Sequence, residues 1–287
     1  MTVYNLGSIN IDHVYQVPHI TRPGETLTST GYAQGLGGKG ANQSVAAARA
    51  GARVIHIGAI GPNSDWVIEM LAGFNIDTSG IAKLAVATGH AIITVDSSAE
   101  NAITLYPGAN REITGAMSGT SLRTAEPGDL LLMQNETTGQ VETAQIAAQR
   151  GLRLLYSPAP FELEPLKAVL PFTHLLLMNE GEAEDLRTAM GELPEVALIV
   201  TRGAKGASWI TPGETPLTFP AFQAEAVDTT GAGDCFAGNI AAALDAGLPR
   251  EQAMRRALAA ASIQVTQPGA AQAMPDLPAT EALLAAL

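Results

Sequence analysis

The chain has 287 residues, of which 46% are hydrophobic and 15% charged, and it carries a net charge of −12. That composition fits a folded protein with a large buried core. The acidic balance argues against nucleic acid or an anionic membrane as partner, although backbone amides and a few local cations can still build a phosphate site. Cys235 is the single cysteine, so no disulfide or zinc cluster forms within the chain, and at the start of an apolar helix it reads as a small core residue. No apolar run approaches the roughly 20 residues of a membrane span. The opening Thr2-Val3-Tyr4-Asn5-Leu6 does not read as a signal peptide, so a cytoplasmic protein is expected.

In chain order, short runs rich in Leu, Ile and Val predict strands at 3–6, 54–60, 130–133, 153–156, 175–178 and 198–201. Helical patterns lie between them at 41–50, 65–74, 138–150, 163–170 and 180–190. Alanine-rich helices follow at 232–246 and 251–265. This alternation predicts an α/β fold: a central, mostly parallel sheet flanked by helices, with ligands outside the carboxyl ends of its strands. Two stretches break the pattern. Residues 14–32 hold Pro18, Pro23 and Gly24 before a β-friendly run at 26–32. Residues 90–95 and 102–105 read as a hairpin around 97–100. They predict a small antiparallel sheet made by insertions at about 13–34 and 88–107 in a single domain over 1–287, either a lid or a decorative surface hairpin.

Four motifs can carry chemistry. In Asp228-Thr229-Thr230-Gly231-Ala232-Gly233-Asp234, glycines open into a helix whose free amides suit a phosphate. Asp234 is placed there to accept the proton of an attacking hydroxyl. An ordinary capped helix start is the plainer reading. Gly35-Leu36-Gly37-Gly38-Lys39-Gly40-Ala41-Asn42 matches G-x-G-x-x-G, but no apolar strand leads into it and no acidic residue ends the next strand. It is also not a Walker A loop, because Gly40 follows Lys39. A tight glycine loop presenting Lys39 and Asn42 to polyol hydroxyls, or a plain packing turn, remains. Asn10 and Asp12, in Gly7-Ser8-Ile9-Asn10-Ile11-Asp12, are expected at the carboxyl edge of the sheet, where a carboxylate can accept two sugar hydroxyls; capping or turn formation is the alternative. Asn179-Glu180-Gly181-Glu182 pairs Asn179 with Glu182 three residues on, oxygen ligands that suit magnesium near nucleotide phosphates. A solvated acidic helix start is the alternative.

Together and in this order, the four motifs resemble the ribokinase branch of the PfkB-type carbohydrate kinases over essentially the whole chain. The resemblance implies phosphoryl transfer from ATP to a sugar hydroxyl, with D-ribose as the first acceptor to consider. Asp234 then matches the catalytic base, and the amides of Gly231, Ala232 and Gly233 match the anion hole. Asn10, Asp12, Gly38, Lys39, Asn42 and Glu136 match sugar-holding positions. Asn179 and Glu182 match the element associated with Mg2+ and phosphate, and Thr201, Gly203 and Gly206 the nucleotide loop. Asp228 and Thr230, with carbonyls of Gln264, Gln267 and Gly269, match a monovalent-cation site, usually potassium. The resemblance also implies a homodimer through the lid sheet. Four departures stand out: Ser157 replaces a usual Asn, Ala273 a frequent Ser at the cation site, Leu258 a polar residue near the adenine, and the link 190–197 lacks a helix. Another sugar, a nucleoside or a non-catalytic sensor on the same scaffold are the other readings.

Overall fold

A computed structural model describes residues 1–98 and 100–286. The chain begins with β1 (Val3–Leu6), β2 (Asn10–Gln16), β3 (Gly31–Gly37) and α1 (Lys39–Arg49). Then come β4 (Val54–Ile60), α2 (Asp65–Gly73), β5 (Ile76–Lys83), β6 (Gly89–Val95) and β7 (Asn101–Tyr106). The middle runs through α3 (Gly115–Ser121), β8 (Leu130–Gln134), α4 (Gln140–Gln149), β9 (Arg153–Ser157) and α5 (Leu163–Val169). It continues with β10 (Thr173–Asn179), α6 (Glu180–Met190) and β11 (Ala197–Thr201). β12 (Ala207–Ile210), β13 (Leu217–Phe219), α7 (Ala232–Asp245), α8 (Arg250–Gln264) and α9 (Leu277–Ala285) complete it.

Nine strands form the main sheet in the order β13-β12-β11-β10-β9-β8-β1-β4-β5. From β11 to β5 the pairings are parallel, while β12 and β13 add an antiparallel edge. Because side chains alternate across a strand, each strand supplies two cores. Val3, Leu130, Leu132, Leu155, Leu177 and Ile199 pack on one face with Val45 of α1, Phe236 of α7 and Met254 of α8. Tyr4, Leu131, Met133, Leu154, Leu176 and Leu198 face the other way, against Ala144, Leu166 and Leu186. Covering both faces leaves the carboxyl edge as the open rim of the sheet.

A separate four-stranded sheet has the order β3-β2-β6-β7. It departs from expectation in three ways. Residues 26–29 are not in a strand, and β3 instead starts at Gly31 and includes Gly35–Gly37 of the glycine run. A strand therefore does lead into that motif, but it belongs to the small sheet. β2 pairs β6 in parallel, so the sheet is mixed rather than wholly antiparallel. The predicted hairpin turn contains Ala99, which lies outside the described residues.

Candidate active site

The site is built around two helix starts. β1 ends at Leu6, and Gly7-Ser8 turns the chain toward β2. Here α1 comes very close: a side chain on Gly40 would run into the backbone of Gly7. Gly38, the residue before α1, has φ 91° and sits over Ser8 and Asn10, so glycine is required by both conformation and space. The amide of Ala41 donates to the Ser8 carbonyl at 2.9 Å and closes the junction. Lys39 and Asn42 thus belong to α1 itself rather than to a loop before it.

α7 begins opposite. Gly231 precedes it with φ 80°, and Asp234 lies in its first turn. The buried Asp234 carboxylate accepts from Asn42 Nδ2 and from Gln43 Nε2, both at 3.0 Å. Burial pushes its pKa up, while Lys39, Gln43 and Asn42 oppose the shift and Glu136 adds to it. The Ala232 amide already donates to the Thr229 carbonyl at 3.2 Å. Gly231 and Gly233 therefore supply the better-placed amides at this positive helix end.

Residues on the other side of Asp234 form a polar cup. Glu136 accepts from Ser8 Oγ in a short contact and from the Lys39 amide at 3.2 Å. Asp12 is pushed up to about 6, first by burial and then by the Glu136 carboxylate. Asn10 is buried, and its Oδ1 accepts from Asn110 Nδ2 at 2.8 Å. Asn42 Oδ1 is buried with no hydrogen-bond partner among the described residues, although a buried acceptor normally has one. Pairing in the small sheet sets Asp12 opposite Ala91, and Ala91 opposite Leu105, so all three share one face.

A cavity of about 720 Å³ opens at the start of α7, against Thr229, Ala232 and Gly233. Its walls include Thr201 at the end of β11, Gly203, Gly206, Gly233, Phe236 and Leu258. Gly206 has φ 96° and lies against the Phe219 carbonyl, which keeps this turn tight. Leu258 is an apolar wall residue, and residues 191–196 contain no helix, as the sequence indicated. Asn179 and Glu182 form a reciprocal cap at the start of α6, each side chain bonding the other's amide at 2.9 Å. Burial raises the Glu182 pKa, against the Asn179 amide and Lys39. One half-buried carboxylate fits Mg2+, which uses one or two carboxylates and takes its other ligands from phosphates and water.

A potassium ion does not fit the residues expected to hold it. Gln264 Nε2 donates to the Thr230 carbonyl at 2.8 Å and to the Gly269 carbonyl at 3.0 Å. The Gln264 carbonyl accepts from the Gln267 amide at 3.1 Å. Asp228 accepts from the amides of Thr230 and Gly269 at 2.8 and 2.9 Å. Burial would raise Asp228, yet these bonds leave its pKa below the ordinary value. The Asp228 carboxylate and the carbonyls of Thr230, Gln264 and Gly269 thus already face N–H donors, and the Gln264 side-chain amide stands between two of those carbonyls.

Gln43, Asn110 and Gln134 were not identified as site residues from the sequence. Gln43 Oε1 accepts from Gln134 Nε2 at 2.8 Å, and Gln134 also donates to Asn5 at 2.9 Å. Asn5 reaches Ser44, and Ser44 reaches Nδ1 of fully buried His56, both at 2.8 Å. His56 Nε2–H donates to the Gly7 carbonyl, which fixes the neutral tautomer. The signal available for this buried network is the polar run Asn42-Gln43-Ser44 inside an otherwise alanine-rich helix.

Comparison with known proteins matches this geometry. Residues 2–277 match the model of the pfkB family carbohydrate kinases. The chain is 38% identical to the ribokinase of Haemophilus influenzae, over 96% of this chain and 95% of that protein. A ribokinase structure from Cryptococcus neoformans in complex with ADP superposes with a TM-score of 0.88 at 34% identity, covering 98% of this chain and 99% of that one. The Arabidopsis thaliana ribokinase complexed with ribose and ATP gives 0.87 at 25% identity, covering 99% and 98%. The chain belongs to the pfkB family of carbohydrate kinases. It is therefore a phosphotransferase that acts on a sugar hydroxyl.

Proposed function

We propose that this kinase transfers the γ-phosphoryl group of ATP to the primary hydroxyl of D-ribose, giving ribose 5-phosphate and ADP. The observation that carries the reading is the position of Asp234. Its carboxylate is held by Asn42 and Gln43 between the polar cup and the amides at the start of α7. In this reading Asp234 takes the hydroxyl proton as phosphorus moves from the ADP oxygen to the sugar oxygen. Gly231 and Gly233, with Ala232 between them, stabilise charge developing on the transferring group.

Asp12, Asn10 and Asn42 hold the sugar, with Gly38 making room and Glu136 fixing the Lys39 end of the cup. The buried, unpaired Oδ1 of Asn42 supports this role, since a bound hydroxyl would satisfy it. ATP lies in the cavity lined by Thr201, Gly203 and Gly206. Mg2+ arrives with the phosphates, held near Asn179 and Glu182, and when bound it neutralises phosphate charge. The small sheet acts as the lid, closing over the sugar with the face that carries Asp12, Ala91 and Leu105. Excluding water there prevents wasteful ATP hydrolysis. The opposite face pairs with a second copy.

The test is ADP release with Mg-ATP across pentoses, ketohexoses and nucleosides. D-ribose is expected to give the highest kcat/KM. Turnover on ribose below a few per cent of the best acceptor would reassign the substrate, and sugar binding without ATP consumption would favour a sensor.

A further inference from the structure

One side chain ties the loop before α7 to the loop after α8. Gln264, the last residue of α8, is fully buried. Its Nε2 stands between the carbonyls of Thr230 and Gly269, donating to both. Asp228 joins the same two loops by accepting from the amides of Thr230 and Gly269. The amide orientation follows from the acceptors: reversed, Oε1 would oppose two carbonyl oxygens. In the observed orientation Oε1 is buried with no partner among the described residues, a cost carried in order to keep Nε2 on the carbonyls.

The consequence for the phosphate site is geometric. The Thr230 carbonyl and the Gly231 N–H are opposite ends of one planar trans peptide. A donor that fixes the carbonyl therefore fixes the N–H, which leads into the first turn of α7. Inward-facing carbonyls from two loops would otherwise repel one another and call for a cation. Here a neutral amide with two hydrogens meets both. Ala273, where a hydroxyl often assists the cation, contributes no oxygen ligand from its side chain.

We propose that the Gln264 amide takes the place of the monovalent cation behind the anion hole, positioning the Gly231 N–H, so that turnover needs no potassium. This rests on the kinase reading for its catalytic part only. Gln264 is a positioning residue: it touches neither the sugar nor the transferring group. It supplies no net charge, so stabilisation of the phosphoryl group falls to the amides and the helix end.

The test compares potassium chloride with tetramethylammonium chloride at matched ionic strength. For the unmutated enzyme, kcat is expected to change by less than about twofold, and the ligand-free Tm is expected not to respond to potassium. Gln264→Ala uncovers the two carbonyls. Its kcat should fall at least about tenfold without potassium and recover saturably with it. Gln264→Glu sets a carboxylate against the same carbonyls, and its ligand-free Tm should rise saturably with potassium. Saturable activation or thermal stabilisation of the unmutated enzyme by potassium would overturn the proposal. So would full potassium-free turnover of Gln264→Ala. If that variant does not fold, Gln264→Glu decides, and indifference of its Tm to potassium overturns the proposal. Failure of every sugar to stimulate ADP release would defeat the kinase reading instead, while the ligand-free Tm still tests Gln264.

Discussion

Gln43 Nε2 donates to Oδ1 of Asp234 at 3.0 Å, across 191 positions of sequence. The bond holds one oxygen of the carboxylate and leaves Asn42 to hold the other. Because Gln43 lowers the Asp234 pKa, its loss pushes that pKa further up. Gln43→Leu is therefore expected to move the acid limb of the kcat profile to higher pH. It should also lower the maximal kcat by about 10- to 100-fold through a less well-aimed base. Stopped-time assays from pH 5 to 9 check this, and an unmoved acid limb would count against Gln43 as the residue that positions Asp234.

Replacing Asp234, the proposed base, separates chemistry from binding. Asp234→Asn keeps the shape and can still bond Asn42 and Gln43 after amide reorientation, but it cannot accept a proton. A fall in kcat of about 10²- to 10⁴-fold is expected, with ribose affinity largely kept. Near-normal turnover would remove Asp234 from the role of base.

If Asp12 holds the sugar as proposed, sugar binding depends on pH. A carboxylate accepts two hydroxyls only when ionised, and burial with Glu136 nearby raises this group to about 6. As pH falls through that value Asp12 gains a proton and an acceptor is lost. The dissociation constant for ribose, measured by calorimetry without nucleotide, should rise about tenfold per pH unit below it. Asp12→Asn should bind weakly with a much flatter profile. A wild-type profile as flat as that of Asp12→Asn would exclude Asp12 from holding the sugar.

Much of this was legible in the sequence because it is local. Strand 54–60, an apolar run stopped by Gly61-Pro62, and helix 180–190, flanked by Asn179 and Gly191, were bounded correctly. The polar motifs sit where those runs end, which is where a parallel sheet places its ligands. What escaped is non-local or weakly patterned. β13 has only three residues, and α3, with the sequence GAMSGTS, has few strong helix formers. Gln264 reads as an interruption of an apolar run, and only the fold brings its side chain to Thr230, 34 positions away. His56 likewise looks like a stray polar residue in a strand until Ser44 and Gly7 meet it.

His56 links the network to stability. Burial lowers its pKa from 6.5 to about 4, against the opposing bond to Gly7. The unfolded chain therefore binds a proton that the folded chain refuses between those values. The contribution of His56 is fully present above pH 6.5 and is lost as pH falls toward 4, by about 3 kcal/mol in all. Urea unfolding at pH 7 and pH 4.5 should show this loss for the wild type. His56→Gln should lose less over the same interval, whatever its stability at pH 7. Equal losses in the two proteins would mean that His56 is not kept neutral by the fold.

The small sheet carries the last prediction. Its face opposite Asp12 presents Tyr32, Ile92 and Tyr106, which are 56%, 37% and 46% exposed. Tyr32 contacts both His13 and Tyr15, and His90 contacts Tyr106, so the aromatic groups form one surface rather than scattered residues. β7, at one edge of the sheet, is exposed along its whole length and presents Ala102, Thr104 and Tyr106 on this face. A second copy that covers this face would hold the lid over the sugar without touching Asp12. Ile92→Glu places a charge at the centre of that contact, because Ile92 lies beside His13 in the β2–β6 pairing. Light scattering should then show a dimer for the wild type and a monomer for the variant. The ribose KM should rise at least about threefold as the lid loses its support, while kcat falls less. A wild-type protein that is monomeric at every concentration would rule out the lid dimer. A monomeric variant with unchanged KM would show that the lid closes without help from a partner.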